Sequence, residues 1–172
     1  IYMKTPGSSS YGNMGTSTTV SSSGTNGLYS FYAKDKAGNI SRTYFLYLDT
    51  VKPTGTIKNS NGAEITGSYT NQAFSYSATD SGSGISYLQY KKPGSSSWLT
   101  YTSGTSISAS AASGTYQFRS VDKAGNISAT KSITLDSSKP TMTLYSGDVS
   151  VSNGFKSIAN YIKATATDSG SG

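Results

Sequence analysis

Reactive groups are scarce in this chain, and that scarcity limits its chemistry. Its 172 residues include no histidine, no cysteine and eight acidic side chains, of which Glu64 is the sole glutamate. A nucleophile activated by a neighbouring His has nothing to be built from, and a glycosidase-type carboxyl pair would have to come from a few aspartates. We therefore expect no catalytic residue and no enzyme. Oxygen donors for a hard cation are a better match to these acids. Asp80, Asp122 and Asp136, together with the amide of Asn126, are the candidates, and Ca²⁺ is the ion that takes carboxylate and carbonyl oxygens, usually six to eight of them. No other cofactor is expected. The same residues also suit plain turns, where Asp caps the turn, Gly supplies a positive φ and Asn tolerates the left-handed region.

Aromatic residues form the second group, with 14 Tyr, 5 Phe and 1 Trp. Tyr87, Tyr90, Trp98 and Tyr101 cluster around the turn signal Lys92-Pro93-Gly94-Ser95. Successive strand residues face opposite ways, so Tyr87 and Tyr90 cannot both point into a core. One face of the cluster is expected at the surface, where rings can stack on sugars; cross-strand pairing that shields the sheet is the competing reading. The net charge of +6 is spread over Lys4, Lys34, Lys36, Lys91, Lys92, Lys131 and others. No dense basic run tracks a phosphate backbone, so nucleic acid is not the expected partner, and weak attraction to an anionic cell-wall polymer fits better.

The elements that must position these groups follow a repeat. Asp122-Lys123-Ala124-Gly125-Asn126-Ile127-Ser128 recurs as Asp35-Lys36-Ala37-Gly38-Asn39-Ile40-Ser41, an offset of 122 − 35 = 87. At the same offset Pro6-Gly7-Ser8 falls on Pro93-Gly94-Ser95, Tyr11 on Trp98, Leu48-Asp49 on Leu135-Asp136, and Lys52-Pro53-Thr54 on Lys139-Pro140-Thr141. Asp80-Ser81-Gly82-Ser83-Gly84 recurs at Asp168 to Gly172, one residue further on. A self-similar period of this length marks a tandem array. Residues 1–51 read as the C-terminal part of one unit, 52–138 as a complete unit and 139–172 as the N-terminal part of the next. Pro53 and Pro140 suit linkers or first residues of edge strands, because proline cannot donate to a ladder.

Within the complete unit, alternation predicts seven short strands and an all-β sandwich. They run over Thr54–Lys58, around Phe74, Tyr76 and Ala78, at Leu88–Tyr90, over Trp98–Tyr101, over Ser106–Ser110 around Ile107, at Tyr116–Ser120, and from Ile127 through Ile133 to Leu135. Ile127 is expected to open the buried face of the last strand, and Ile162, Ala164 and Ala166 to repeat the second in the following unit. Hydrophobic residues are 34% and charged residues 13%, a balance that short strands and many turns use. The absence of cysteine leaves stability to the core, and no apolar run approaches the roughly 20 residues of a membrane helix.

Gly114-Thr115-Tyr116-Gln117-Phe118, and Gly27-Leu28-Tyr29-Ser30-Phe31 before it, resemble the tyrosine corner of immunoglobulin-like domains. With the Asp-x-Ala-Gly-Asn turn, whose Gly38 and Gly125 would hold the positive φ, and the Leu-Asp-x-x-Lys-Pro linker, the chain is similar to the tandem Ig-like repeats of large bacterial surface and secreted proteins. The resemblance implies a Greek-key sandwich and a Tyr29 or Tyr116 hydroxyl bonded back to the backbone. It further implies extracellular placement and a stalk, spacer or fibre role, with an adhesin or carbohydrate-binding module as the alternative. Calcium near domain junctions is also implied in some members, as is a Lys–Asn crosslink, for which Lys131 and Asn71 are the candidates. The expected partners are neighbouring repeats or other copies of the chain, head to tail, and cell-wall or host glycans, with no membrane span in this segment.

Overall fold

The computed structural model describes residues 1–147, 149–151 and 161–171. Among these the chain is all-β, with no helix. The strands are β1 (Tyr2–Lys4), β2 (Gly12–Asn13), β3 (Gly27–Tyr32), β4 (Tyr44–Leu48), β5 (Thr54–Asn59), β6 (Tyr69–Thr70), β7 (Phe74–Thr79), β8 (Ile85–Lys91), β9 (Leu99–Tyr101), β10 (Gly114–Asp122), β11 (Lys131–Leu135), β12 (Thr141–Ser146), β13 (Val149–Val151) and β14 (Ile162–Thr167). They form four sheets, ordered β2-β1-β3-β4, β5-β7, β6-β11-β10-β8-β9 and β13-β12-β14. All pairings are antiparallel except the short β6 against β11.

Residues 52–138 close into a sandwich-like arrangement. The β5–β7 hairpin lays Ile57, Phe74 and Tyr76 against Leu88, Tyr101, Tyr116, Phe118, Ile133 and Leu135 of the larger sheet. Alternation along β10 explains the choice: Tyr116, Phe118 and Ser120 are buried, whereas Gln117 and Arg119 face outward. Aromatic rings dominate the centre, Tyr76 stacking on Phe118 at 5.0 Å and Phe74 meeting Tyr116 edge-on at 5.5 Å. Gly55 on β5 is required by this packing, because a Cβ there would overlap the Tyr76 ring.

The first sheet reproduces part of the larger one with the 87-residue offset. Met3↔Phe31 and Tyr29↔Leu46 pair as Tyr90↔Phe118 and Tyr116↔Ile133 do. Likewise Met142↔Ala166 and Leu144↔Ala164 on β12 and β14 correspond to Gly55↔Ala78 and Ile57↔Tyr76. Among the described residues neither outer group has a second sheet over it, and burial follows suit: Ile133 is 1% exposed but its counterpart Leu46 50%, and Phe74 is 1% exposed but its counterpart Ile162 62%. The alternation of Ile162, Ala164 and Ala166 thus lies on an open face.

Both tyrosine corners form. The Tyr116 hydroxyl donates to the Ala112 carbonyl at 3.0 Å and the Tyr29 hydroxyl to Thr25 at 2.9 Å, each four residues back, which pins the turn that enters the strand. Burial holds the Tyr116 hydroxyl above its ordinary pKa. Gly38 and Gly125 take the positive φ expected of them, at 95° and 94°. Three local expectations need correction. Ser106–Ser110 is not a strand; only Ile107 bridges to Phe74, and the unit's seventh strand is instead the two-residue β6. The last strand begins at Lys131, and Ile127 is 43% exposed because its bridge to Val121 lies in the turn. Asn39 and Asn126 are not left-handed, since among the described residues only glycines have a positive φ.

Candidate metal centre

Three carboxylates meet where the first sheet hands over to the second. Asp49, Asp80 and Asp122 each place a carboxylate oxygen within 4.8 Å of the others. They come from separate elements. Asp49 sits just after β4 and Asp80 just after β7, while Asp122 ends β10 beside a register shift between Val121 and Asp122. Such a bulge re-aims a side chain, and here Ser120, Val121 and Asp122 are buried in succession, Asp122 at 2% exposure.

Each acid is held by its own loop. Asp122 accepts the backbone N–H of Asn126 on Oδ1 and its side-chain N–H on Oδ2, both at 2.8 Å. Asp80 Oδ2 accepts the N–H groups of Gly82 at 3.0 Å and Gly84 at 2.8 Å. Asp49 accepts Val51 N–H at 2.9 Å and, across the junction, Ser83 N–H at 2.6 Å. Hydrogen bonds from Ser83, then from Val51, hold the Asp49 carboxyl below the usual carboxylate range. The junction closes further where the Asn126 side chain donates to the Asp49 carbonyl at 3.0 Å. Gly82 must be glycine, because a Cβ would fall on the Asp49 carboxylate. Beside the cluster a cleft of about 400 Å³ is lined by Tyr47 of the first sheet and by Gly82, Ser83, Lys123 and Ala124.

The donor set fits a hard divalent cation. Among the described residues no lysine or arginine pairs with any of the three acids, so like charges at this spacing repel without a counter-charge. Asp80 Oδ1 is shut off from solvent and meets no hydrogen-bond donor. Three carboxylates supply up to six oxygens of the six to eight that Ca²⁺ takes. Asp49, Asp80 and Asp122 are the residues that would hold it.

The sequence-predicted set is thus redistributed. Asp80 and Asp122 come together, but Asn126 presents its amide N–H rather than its oxygen and serves as a crosslink to the linker. Asp136 lies at the following junction, the counterpart of Asp49: its Oδ2 accepts Ser171 N–H at 2.6 Å, and Gly170 packs on its carboxylate as Gly82 does on that of Asp49. Hydrogen bonds led by that from Ser138 N–H lower the Asp136 pKa. Asp49 was missed, although its match to Asp136 at the 87-residue offset was the signal. Pro53 is buried behind this junction while Pro140 is exposed.

The aromatic quartet divides as well. Tyr101 is a core residue, its ring 5.3 Å from Phe118, its hydroxyl donating to the Thr105 carbonyl and accepting Tyr76 N–H. Tyr90 packs on Phe118 and Tyr101. Tyr101 is thus buried in the core and Tyr90 is half-buried against it, while Tyr87 is exposed and Trp98 half-buried. Lys131 and Asn71 are both exposed, so the buried pair that a crosslink requires is not formed. No helix among the described residues is long and apolar enough to cross a membrane. Comparison with protein-family models, curated proteins and solved structures gives no significant match, so a functional reading rests on the geometry.

Proposed function

We infer that the chain is a stretch of a tandem array of Ig-like Greek-key sandwiches. Its role is structural: the stalk, spacer or fibre of a bacterial surface protein, outside the cell, with joints braced by Ca²⁺. The junction at Asp49 carries this reading. A linker carboxylate and its own carbonyl are gripped by two loops of the following unit, and among the described residues no lysine or arginine pairs with the three acids so gathered. A freely hinged linker needs no such clamp, whereas a rod does. The matching registers at the 87-residue offset, both tyrosine corners and the recurrence of the Asp–Gly–Ser contact at Asp136 support repetition of one unit. The open faces of the β1–β4 sheet and of β12 with β14 correspond to complementary halves of that unit, suited to neighbours of the same type in one chain or, head to tail, from another copy. At about 3.3 Å per strand residue, each unit adds on the order of 25–35 Å of reach.

Isothermal titration calorimetry with CaCl₂ tests the brace. One site per complete junction is expected, with Kd on the order of 0.1–1 mM, the range of extracellular modules, and with Mg²⁺ weaker. Asp80→Asn, which takes charge from the oxygen lacking a donor, should abolish the heat. Absence of heat from the unmodified chain would refute the calcium part.

A further inference from the structure

A second constellation recurs with the 87-residue offset, on the outer face of the larger sheet and away from the carboxylate joint. Trp98, just before β9, is approached by two cations: Lys91 Nζ lies 4.8 Å and Arg119 Cζ 4.2 Å from the ring centroid. Arg119 is fixed by donating Nε–H to Gln89 Oε1 at 2.8 Å, opposite it across β8 and β10. The counterparts of Gln89, Lys91, Trp98 and Arg119 are Tyr2, Lys4, Tyr11 and Tyr32. They form a corresponding group: Lys4 Nζ is 5.8 Å from the Tyr11 centroid, Tyr11 meets Tyr32 edge-on at 4.8 Å, and Tyr2 stacks on Tyr32 at 5.0 Å and 8°.

What is kept between the two copies is a lysine over a hairpin aromatic, beside two planar side chains that touch across the strands, Gln89 hydrogen-bonded to Arg119 and Tyr2 stacked on Tyr32. The identities change, Gln and Arg giving way to two Tyr, so hydrophobic burial is not what the pattern preserves. Neither residues 1–34 nor residues 81–121 contain a single acidic residue. Among the described residues no salt bridge is made by Lys4, Lys91 or Arg119. A cation that lies over a ring is ordered in advance at little further entropic cost.

We propose that this face binds an acidic polysaccharide, a carboxylate-bearing sugar ring lying against the planar groups while its charge meets Lys91 and Arg119, or Lys4 in the preceding unit. Planar side chains beside fixed cations are the complement of a ring that is apolar on its faces and anionic at its edge. One or two cations per unit are too few to follow a polyphosphate, which carries a charge at every nucleotide. One strip per 87 residues would let a long glycan engage successive units, raising affinity by multivalency without new contacts.

Affinity electrophoresis of the whole chain through gels containing polygalacturonate, dextran sulfate, neutral dextran or poly(U) tests this. Retardation by polygalacturonate and not by neutral dextran is expected. Lys91→Gln combined with Arg119→Gln should weaken it by about tenfold or more through loss of one of two strips. Trp98→Leu, checked for folding by circular dichroism, should weaken it similarly, while Lys131→Gln on β11, outside the strip, should leave it unchanged. A response to dextran sulfate as well would identify the anionic edge, rather than the carboxylate, as the feature read. No retardation would overturn the proposal. So would equal losses for Lys131→Gln and for the strip variants, or poly(U) binding that survives Trp98→Leu, since either outcome reports net charge alone. The carboxylate joint is untouched by these variants, so failure here leaves the structural reading standing.

Discussion

Tyr76 and Gly55 offer a quantitative test of how the two-layer core is built. Tyr76 is fully buried, stacked on Phe118, with its hydroxyl 3.4 Å from Ser120 Oγ. Tyr76→Ala removes the ring and should cost about 3–5 kcal/mol, as large-to-small aromatic changes in cores do. At about 0.05–0.15 kcal/mol per residue, an 87-residue unit has only about 4–13 kcal/mol in total, so this unit would sit near its unfolding threshold. Gly55→Met alone should also destabilise, by at least about 1–3 kcal/mol, because its side chain would enter the space of the Tyr76 ring. In the following unit the same two places hold Met142 and Ala164, at the same strand register: the bulk has moved across the hairpin. The double variant should therefore be more stable than Tyr76→Ala by about 1–2 kcal/mol, a coupling typical of residues in contact. Urea unfolding followed by Trp98 fluorescence measures all four corners of the cycle. A double variant as unstable as the sum of the singles would refute the claim that one hairpin geometry underlies both units.

Two further outcomes follow from the hydrogen-bond geometry. Tyr116→Phe leaves the Ala112 carbonyl without its donor and should destabilise the unit by about 1–2 kcal/mol in the same assay, with the loss confined to the urea midpoint. Acid should loosen the joints first. The Asp49 and Asp136 pKa values are depressed in the folded chain, so their contribution is present above the ordinary carboxylate pKa and is lost as pH falls through the depressed values, below about pH 4. Limited acid proteolysis should then cut next to Thr50 or Ser137 before the core of residues 52–138 opens, and Asp49→Asn should move the first of these cuts to higher pH.

Much of the fold was legible because it rests on alternation and on turn chemistry. The buried series Tyr116, Phe118 and Ser120, the positive φ of Gly38 and Gly125 and the two tyrosine corners are all local consequences of residue type. What failed was set by tertiary context. Ser106–Ser110 has strand-like alternation but only one bridge to β7, and propensity cannot say that a neighbouring edge is out of reach. Ile127 looked like the start of a buried face, yet the ladder begins four residues later. Tyr90 and Tyr101 could be told from Tyr87 only by knowing which face β7 covers. The candidate site was half visible. Asp80 and Asp122 stood out as oxygen donors within one unit, but the third acid comes from the preceding linker, and spacing within a unit cannot show a contact between units. The Lys91–Trp98–Arg119 group escaped notice because its cations are 28 residues apart and meet only through the β8–β10 register.

Small-angle scattering from polypeptides carrying increasing numbers of the 87-residue unit, with CaCl₂ and after chelation, tests the central claim most directly. With calcium, the longest dimension should grow by about 25–35 Å per unit and the cross-section should stay constant. Chelation, or Asp80→Asn in every unit, should shorten the ensemble-averaged length while each sandwich stays folded. A particle that grows as a compact globule, or a rod whose length and stiffness ignore calcium, would contradict the account of cation-braced joints.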